Sequence, residues 1–295
     1  MFKIKEKSFL MKFFDFIGFK KISWSLRRLH CPVPKNFLVL EIGSGGNPYY
    51  RSNILIDKYL DTKERHWAPL VKDRKVILGS GEYLPFKNKS FDFIIASHVL
   101  EHSSQPELFI KEMMRVGKSG YIETPHAFFE RINPYDDHRS EIYFKDNTLF
   151  IKKKTKSIVD KELNNLYEHK SKKIISEKVI PSDPEVFHTR LFWNKKINYK
   201  ILNPNSNASW KFVGTKDDHL LHLSFKAKVS RFFLYIIRYL FSQRKRNNCI
   251  DIKQLLACPE CKKNELYFGY QIIYCKQCDK KYSYTNGIPN LNRLL

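Results

Sequence analysis

The stretch from Val39 to Pro48 constrains this chain most. Val39-Leu40-Glu41-Ile42-Gly43-Ser44-Gly45-Gly46-Asn47-Pro48 is an apolar strand that closes on an acid and then breaks into glycines. A second apolar run, Ile54-Leu55-Ile56, closes on Asp57. A strand, a glycine turn and an acid at the end of the next strand together make a nucleotide-binding crevice. The glycines let the backbone approach a ligand, and the acid accepts hydrogen bonds from ribose hydroxyls.

A dinucleotide site calls for G-x-G-x-x-G with its acid about 20 residues further on. Here the pattern is Glu41-x-Gly43-x-Gly45 and the acid comes sooner. The arrangement resembles the class I S-adenosylmethionine (SAM) methyltransferases. In that family the glycine turn faces the methionine part of SAM and the second acid holds the ribose. Val76-Ile77-Leu78 reads as a third strand, followed by Gly79-Ser80-Gly81-Glu82-Tyr83-Leu84-Pro85-Phe86, where the family carries an adenine-contacting G-D-A-E-x-L-P-F loop. Ser90 to His102, with Ser97-His98-Val99-Leu100-Glu101-His102, matches the fourth strand and its exit. Pro106 to Val116 is helical in pattern, and Gly120-Tyr121-Ile122-Glu123-Thr124-Pro125 reads as a fifth strand. The resemblance implies an α/β, Rossmann-like methyltransferase sheet. It also implies a cofactor site of Glu41, Gly43, Gly45, Asn47, Asp57, Ser80, Gly81, Glu82 and His98.

Two positions depart from the family pattern. Asn47 replaces the third glycine and is followed by Pro48, so the helix after the first strand is expected to be short. Asn tolerates the left-handed backbone that a glycine would supply. Ser80 replaces the adenine-loop acid and keeps a hydrogen-bonding group without its charge.

Cys258-Pro259-Glu260-Cys261 and Cys275-Lys276-Gln277-Cys278 are two C-x-x-C knuckles separated by thirteen residues. Four thiolates at that spacing suit a structural, tetrahedral zinc. The intervening Glu265 to Tyr274 has the aromatic and glycine content of a β-hairpin. A module of this size buries little core, so the metal supplies stability. The N-terminal apolar run is interrupted by Lys12 and Asp15, unlike a signal-peptide core, which argues against disulfides. Leu256-Ala257-Cys258-Pro259-Glu260-Cys261 and Asn286-Gly287-Ile288-Pro289 resemble the small zinc-ribbon proteins that activate tRNA and translation-factor methyltransferases, with Asn286 in place of the usual Asp. The resemblance implies that the ribbon serves its methyltransferase in cis. Cys31 and Cys249 read as ordinary thiols.

The formal charge is +23. Residues 36–125 hold twelve Lys and Arg against eleven Asp and Glu, whereas residues 1–35 hold nine against two and residues 226–246 seven against none. The charge therefore concentrates in two flanks that are also aromatic. Phe232 to Phe241 is about half a transmembrane length and is broken by Arg238. It is expected to be a helix that packs on the domain, with an anionic membrane surface as the alternative. Basic flanks also suit nucleic-acid phosphates, although no RNA-reading motif is present.

The organisation expected is a basic helical flank at 1–35, the methyltransferase domain at 36–224, a basic helical connector at 225–250 and the zinc ribbon at 251–295. In a parallel sheet the ligand sits beyond the carboxyl ends of the strands. The segments leaving strands four and five must then border the transferred methyl. His126 and His138 are the candidates for proton abstraction from an acceptor, and His98 and His102 belong on the cofactor side. The G-S-G-G-N-P, S-H-V-L-E-H and G-Y-I-E-T-P wording is similar to methyltransferases of surface-glycan and natural-product pathways, implying a small-molecule, sugar or lipid-linked glycan hydroxyl as acceptor. The alternatives are a tRNA or rRNA methyltransferase with its activator in cis, and a non-catalytic scaffold that binds a membrane or a partner protein. The expected location is cytoplasmic, with peripheral contact at the inner face of a membrane.

Overall fold

The computed structural model describes residues 4–65, 68–156, 161–209 and 225–293. Residues 210–224, with which the substrate side closes in the sequence reading, lie outside them. Strands β1 (Val39–Ile42), β2 (Ile54–Asp57), β3 (Lys75–Leu78), β4 (Phe91–Ser97) and β5 (Gly117–Pro125) run parallel in the order β3-β2-β1-β4-β5. β1 and β2 are buried at every position, which is why they read as unbroken apolar runs rather than alternating ones. The order reverses between β1 and β4, so the crevice for a ligand opens at the carboxyl ends of those two strands.

A further antiparallel pair, β6 (Ser140–Lys145) and β7 (Thr148–Lys153), lies over that end of the sheet. β8 (His188–Asn194) then pairs antiparallel with β5, setting Arg190 directly opposite Glu123, and β9 (Tyr199–Ile201) joins β7. Ile142, Leu149 and Ile151 of the β6–β7 pair belong to the same core as Leu40, Ile54, Ile77 and Ile94.

The expected short helix after β1 is absent. Eleven residues, 43–53, join Ile42 to Ile54 as turns. Side chains brace the connection instead. Asn53 Oδ1 accepts from Val39 N at 2.9 Å, and the buried Arg74 guanidinium donates to the carbonyls of Tyr49, Tyr50 and Ser52. The N-terminal flank carries helices α1 (Phe9–Phe16) and α2 (Lys20–Leu26). Ile4, Cys31 and Val33 pack on Val39, Tyr49, Phe93, Ile95 and Tyr121.

The chain returns to the sheet at its other edge. β10 (Leu266–Phe268), β11 (Ile272–Cys275), β12 (Lys281–Thr285) and β13 (Ile288–Asn290) form an antiparallel meander, and β13 runs parallel to β3, making one ten-stranded sheet. Asn286 and Gly287 both have positive φ, as a two-residue hairpin turn requires. Leu291 N donates to Leu78 O at 2.7 Å, and Ala257 N to Pro85 O at 3.0 Å. Leu256, Ile273, Tyr282 and Leu291 share the main core with Leu84 and Phe86.

Among the described residues no helix is long and apolar enough to cross a membrane. The helix Phe225–Phe241 differs from the packed element expected: Phe232, Phe233, Tyr235, Tyr239, Leu240 and Phe241 are exposed. Its anchorage lies towards its carboxyl end, where Arg238 approaches Asp73 at 3.8 Å and the following Asn247 is buried against Asn53.

Candidate active site and metal centre

The glycine turn after β1 depends on backbone freedom. Gly43 (φ +67°) and Gly45 (φ +55°) occupy the left-handed region, and a Cβ on Gly43 would stand 2.5 Å from a Val99 methyl. Asn47 does not take up the left-handed role weighed for it: its φ is not positive, its side chain is exposed, and its carbonyl accepts from Arg28. Asp57 holds the turn in place. Its Oδ2 accepts from Gly45 N at 3.0 Å, and its Oδ1 accepts from Tyr59 N at 3.1 Å and Arg65 Nη1 at 2.9 Å. A carboxylate offers about four lone-pair sites, so the acid retains acceptor capacity for a ribose hydroxyl. Burial raises its pKa despite the neighbouring Arg65.

Below the turn lies a cavity of about 480 Å³, lined by Gly43, Gly45, Asp57, Ser80, Gly81, Glu82 and His98 among others. Gly81 is held against Phe109, whose ring carbon a Cβ would meet at 2.1 Å. Ser80 compensates for the missing acid in a particular way: its hydroxyl donates to Glu82, which also accepts from Ser103 Oγ at 2.8 Å. Glu41 lies behind this wall, not in it. Its Oε2 accepts from Tyr49 N at 2.9 Å and from Ser52 Oγ, and burial pushes its pKa up to about 7. It holds the helix-less connection in place.

At the end of β5 is a buried charge cluster that the sequence reading did not single out. Glu123 is fully buried, with His98 Nε2 at 3.2 Å, Arg27 Nε at 3.4 Å, Arg190 Nε at 3.8 Å and the Tyr121 hydroxyl as a donor. Burial opposes its ionisation, yet His98, Arg27 and Arg28 hold its pKa well below the carboxylate range. Burial likewise disfavours charge on His98, but Glu101 and Glu123 raise it to about 9. Arg27 comes from the end of α2 and lies 3.7 Å over the Trp24 ring, so the N-terminal flank reaches the site.

A second cavity, of about 340 Å³, opens beside the first and shares Glu64, His98 and His102 with it. Phe129, Tyr135, Asp136, Asp137 and His138 form its far side. His138 Nδ1 donates to Glu130 Oε2 at 2.6 Å, and Glu130 raises its pKa against the effect of burial. His126 lines neither cavity. It is the N-cap of helix α3 (Ala127–Ile132), its Nδ1 accepting from Phe128 N at 3.0 Å, and burial with Arg131 lowers its pKa. Its place directly before a helix is the signal that separates it from His138.

The four knuckle cysteines bring their sulfurs within 4.8 Å of one another, with Cys258–Cys278 and Cys261–Cys275 each at 3.6 Å. Zinc–sulfur bonds of about 2.3 Å in a tetrahedron require sulfur separations of about 3.8 Å, so the set fits zinc. Lys262 and Asp279, directly after the second cysteine of each knuckle, both have positive φ, so the two halves turn alike.

Residues 54–122 match the family model described as a methyltransferase domain. The uncharacterized proteins MJ1123 and MJ0638 of Methanocaldococcus jannaschii are 38% identical over 84 residues and 35% identical over 98 residues. These alignments cover 28% and 32% of this chain and 40% and 41% of the relatives, so the chain spans about two fifths of the length of the curated relatives it matches. Among solved structures, the YcgJ protein of Bacillus subtilis aligns at 21% identity over 37% of this chain and 52% of that one, with a TM-score of 0.27. The parallel sheet agrees with that match: the fold is α/β and Rossmann-like, similar over residues 54–122 to a methyltransferase domain, and is followed by a small β region with a four-cysteine cluster.

Proposed function

We propose that this protein methylates a hydroxyl of a sugar or lipid-linked glycan with SAM as donor, its ribbon acting in cis as a structural support. The observation that carries this reading is the junction of the two cavities at His98 and His102. One cavity has the donor-site features of the family, and the other has the polar and aromatic walls that a hydroxyl-rich acceptor needs. SAM supplies a methyl group on a sulfonium, and alignment of the acceptor is most of what the enzyme must add. Asp57 would hold the ribose, the Gly43–Gly45 turn the methionine part and the Ser80–Glu82 turn the adenine. Asp136 and Asp137 would accept from acceptor hydroxyls, with Phe129 and Tyr135 as apolar walls. Of the two histidines weighed for the acceptor side, only His138 lines this cavity. The four thiolates would hold zinc in a closed shell with no catalytic position.

The exposed aromatics Phe9, Phe16 and Phe19 at the amino end, and Phe232, Phe233 and Phe241 near the carboxyl end, support peripheral contact with an anionic lipid surface. Flotation with vesicles containing phosphatidylserine tests that part, and equal partitioning of a 225–246 deletion and the parent retires it.

The first test is calorimetric titration of zinc-loaded protein with SAM and S-adenosylhomocysteine, then transfer of labelled methyl to nucleotide sugars, lipid-linked glycans and tRNA. Binding with transfer to a glycan sustains the proposal. Transfer to tRNA alone replaces the acceptor. No binding to folded protein leaves a scaffold role.

A further inference from the structure

Glu101 is a buried acid with unfilled acceptor atoms. It is 1% exposed, and neither of its carboxylate oxygens accepts a hydrogen bond. His98 Nδ1 stands 3.4 Å from Oε1 without hydrogen-bond alignment. His98 offsets part of the cost of this buried carboxylate, and the acceptor capacity that remains unfilled suits a further cation. Two imidazoles are in place to share that cation: one ligand atom from each of Glu101, His102 and His138 falls within 4.8 Å of the others.

The surroundings are those of a ligand set. Glu101 and His102 lie in the 3₁₀ turn after β4, and Arg139 N donates to Glu101 O at 2.6 Å, fastening the His138 segment to that turn. Glu130 occupies the Nδ1 side of His138 at 2.6 Å, leaving Nε2 for a ligand bond; a carboxylate on the remote nitrogen is what commonly orients a metal-binding histidine. His102 Nδ1 faces the Asp137 carbonyl at 3.3 Å. The cluster forms part of the wall of the second cavity, and His102 also lines the first.

We propose that Glu101, His102 and His138 bind one divalent cation at the seam between the two cavities. Two nitrogens and one carboxylate oxygen favour a first-row transition ion over magnesium or calcium. Three protein ligands would leave positions open on an ion held in the wall of the second cavity. Only the further step, that an acceptor oxygen occupies an open position, rests on the methyltransferase reading; cation binding itself does not. On this assignment His138 is a ligand rather than a base, and Glu130 is its positioning residue.

The test titrates Mn²⁺ into zinc-loaded protein, following free Mn²⁺ by electron paramagnetic resonance and zinc by elemental analysis. Wild type is expected to bind one Mn²⁺ per chain, and Glu101→Gln and His138→Ala to bind it at least about tenfold more weakly, with one zinc per chain retained. A second readout guards against misfolding. Glu101→Gln leaves His98 without one of its two carboxylates, so each variant's own metal-free melting temperature is the baseline, and Mn²⁺ should raise only the wild-type value. Absence of stoichiometric Mn²⁺ on wild type, or equal binding by folded Glu101→Gln, overturns the site. Mn²⁺ binding together with failure of SAM to bind supports the cation site and refutes the methyltransferase reading alone.

Discussion

Loss of zinc should be felt across the sheet, in the methyltransferase domain itself. β13 completes the outer edge of β3, and the residues after β3 lead directly into the Gly79–Glu82 wall of the cofactor cavity. Three ribbon-side aliphatics, Leu256, Ile288 and Leu291, are 1%, 9% and 0% exposed within cores that include Leu84, Phe86, Leu55 and Leu78. At about 1.5–3 kcal/mol each, their burial contributes roughly 5–9 kcal/mol, an upper bound because the separated parts retain some burial. If only about 3 kcal/mol were lost, a domain of this size would melt roughly 6–12 °C lower. Cys275→Ser, or chelation of the metal, should therefore lower the melting midpoint and weaken SAM binding together. Differential scanning calorimetry and SAM titration on the same samples make the check. A zinc-free protein whose domain keeps both its midpoint and its SAM affinity would refute the argument that ribbon and domain share one core.

Asp57→Ala should weaken SAM roughly 10- to 150-fold, taking about 1.5–3 kcal/mol for a charge-assisted hydrogen bond. Calorimetry reads this, and unchanged affinity in a folded variant would remove Asp57 from the ribose role. Glu41 gives a pH signature. Its pKa of about 7 in the fold exceeds the ordinary 4.5, so the folded chain keeps a proton that the unfolded chain gives up. Its contribution to stability is full below pH 4.5 and is lost as pH rises through 7, to a total on the order of 3 kcal/mol. Urea unfolding of wild type and Glu41→Gln at pH 4.5 and pH 8 should show the gap between them moving in favour of the variant by that amount; a gap independent of pH would contradict the buried, protonated acid.

The parallel strands, the glycine turn and the cysteine knuckles were legible because each imposes a local pattern. A strand buried on both faces must be apolar throughout, φ near +60° favours glycine, and a tetrahedral thiolate set needs short knuckles. What was not legible depends on distant partners. Glu123 is one letter in a strand, and its meaning comes from Arg27 and Arg190, 96 and 67 residues away in the sequence. Glu41 carries the family's acid, yet with no helix after β1 it turns to the backbone of Tyr49 and the hydroxyl of Ser52. His126 and His138 look equivalent until one caps a helix and the other meets Glu130.

The two ends of the chain answer two gaps in the sheet. Where the helix after β1 is missing, the N-terminal flank packs on Val39 and Tyr49, and its Arg27 reaches Glu123. Where β3 would otherwise be an open edge, β13 covers it. Each repair touches the cofactor cavity through one residue or less of spacing: Glu123 through His98 on one side, Leu78 through Gly79 on the other. An open parallel edge and an uncovered sheet face both expose apolar surface that a central domain of near-neutral charge has little means of solubilising. The N-terminal flank and the ribbon are therefore structural complements of the core before they are anything else, and any membrane or partner role falls to the surface they leave exposed, the aromatic face of the 225–241 helix included.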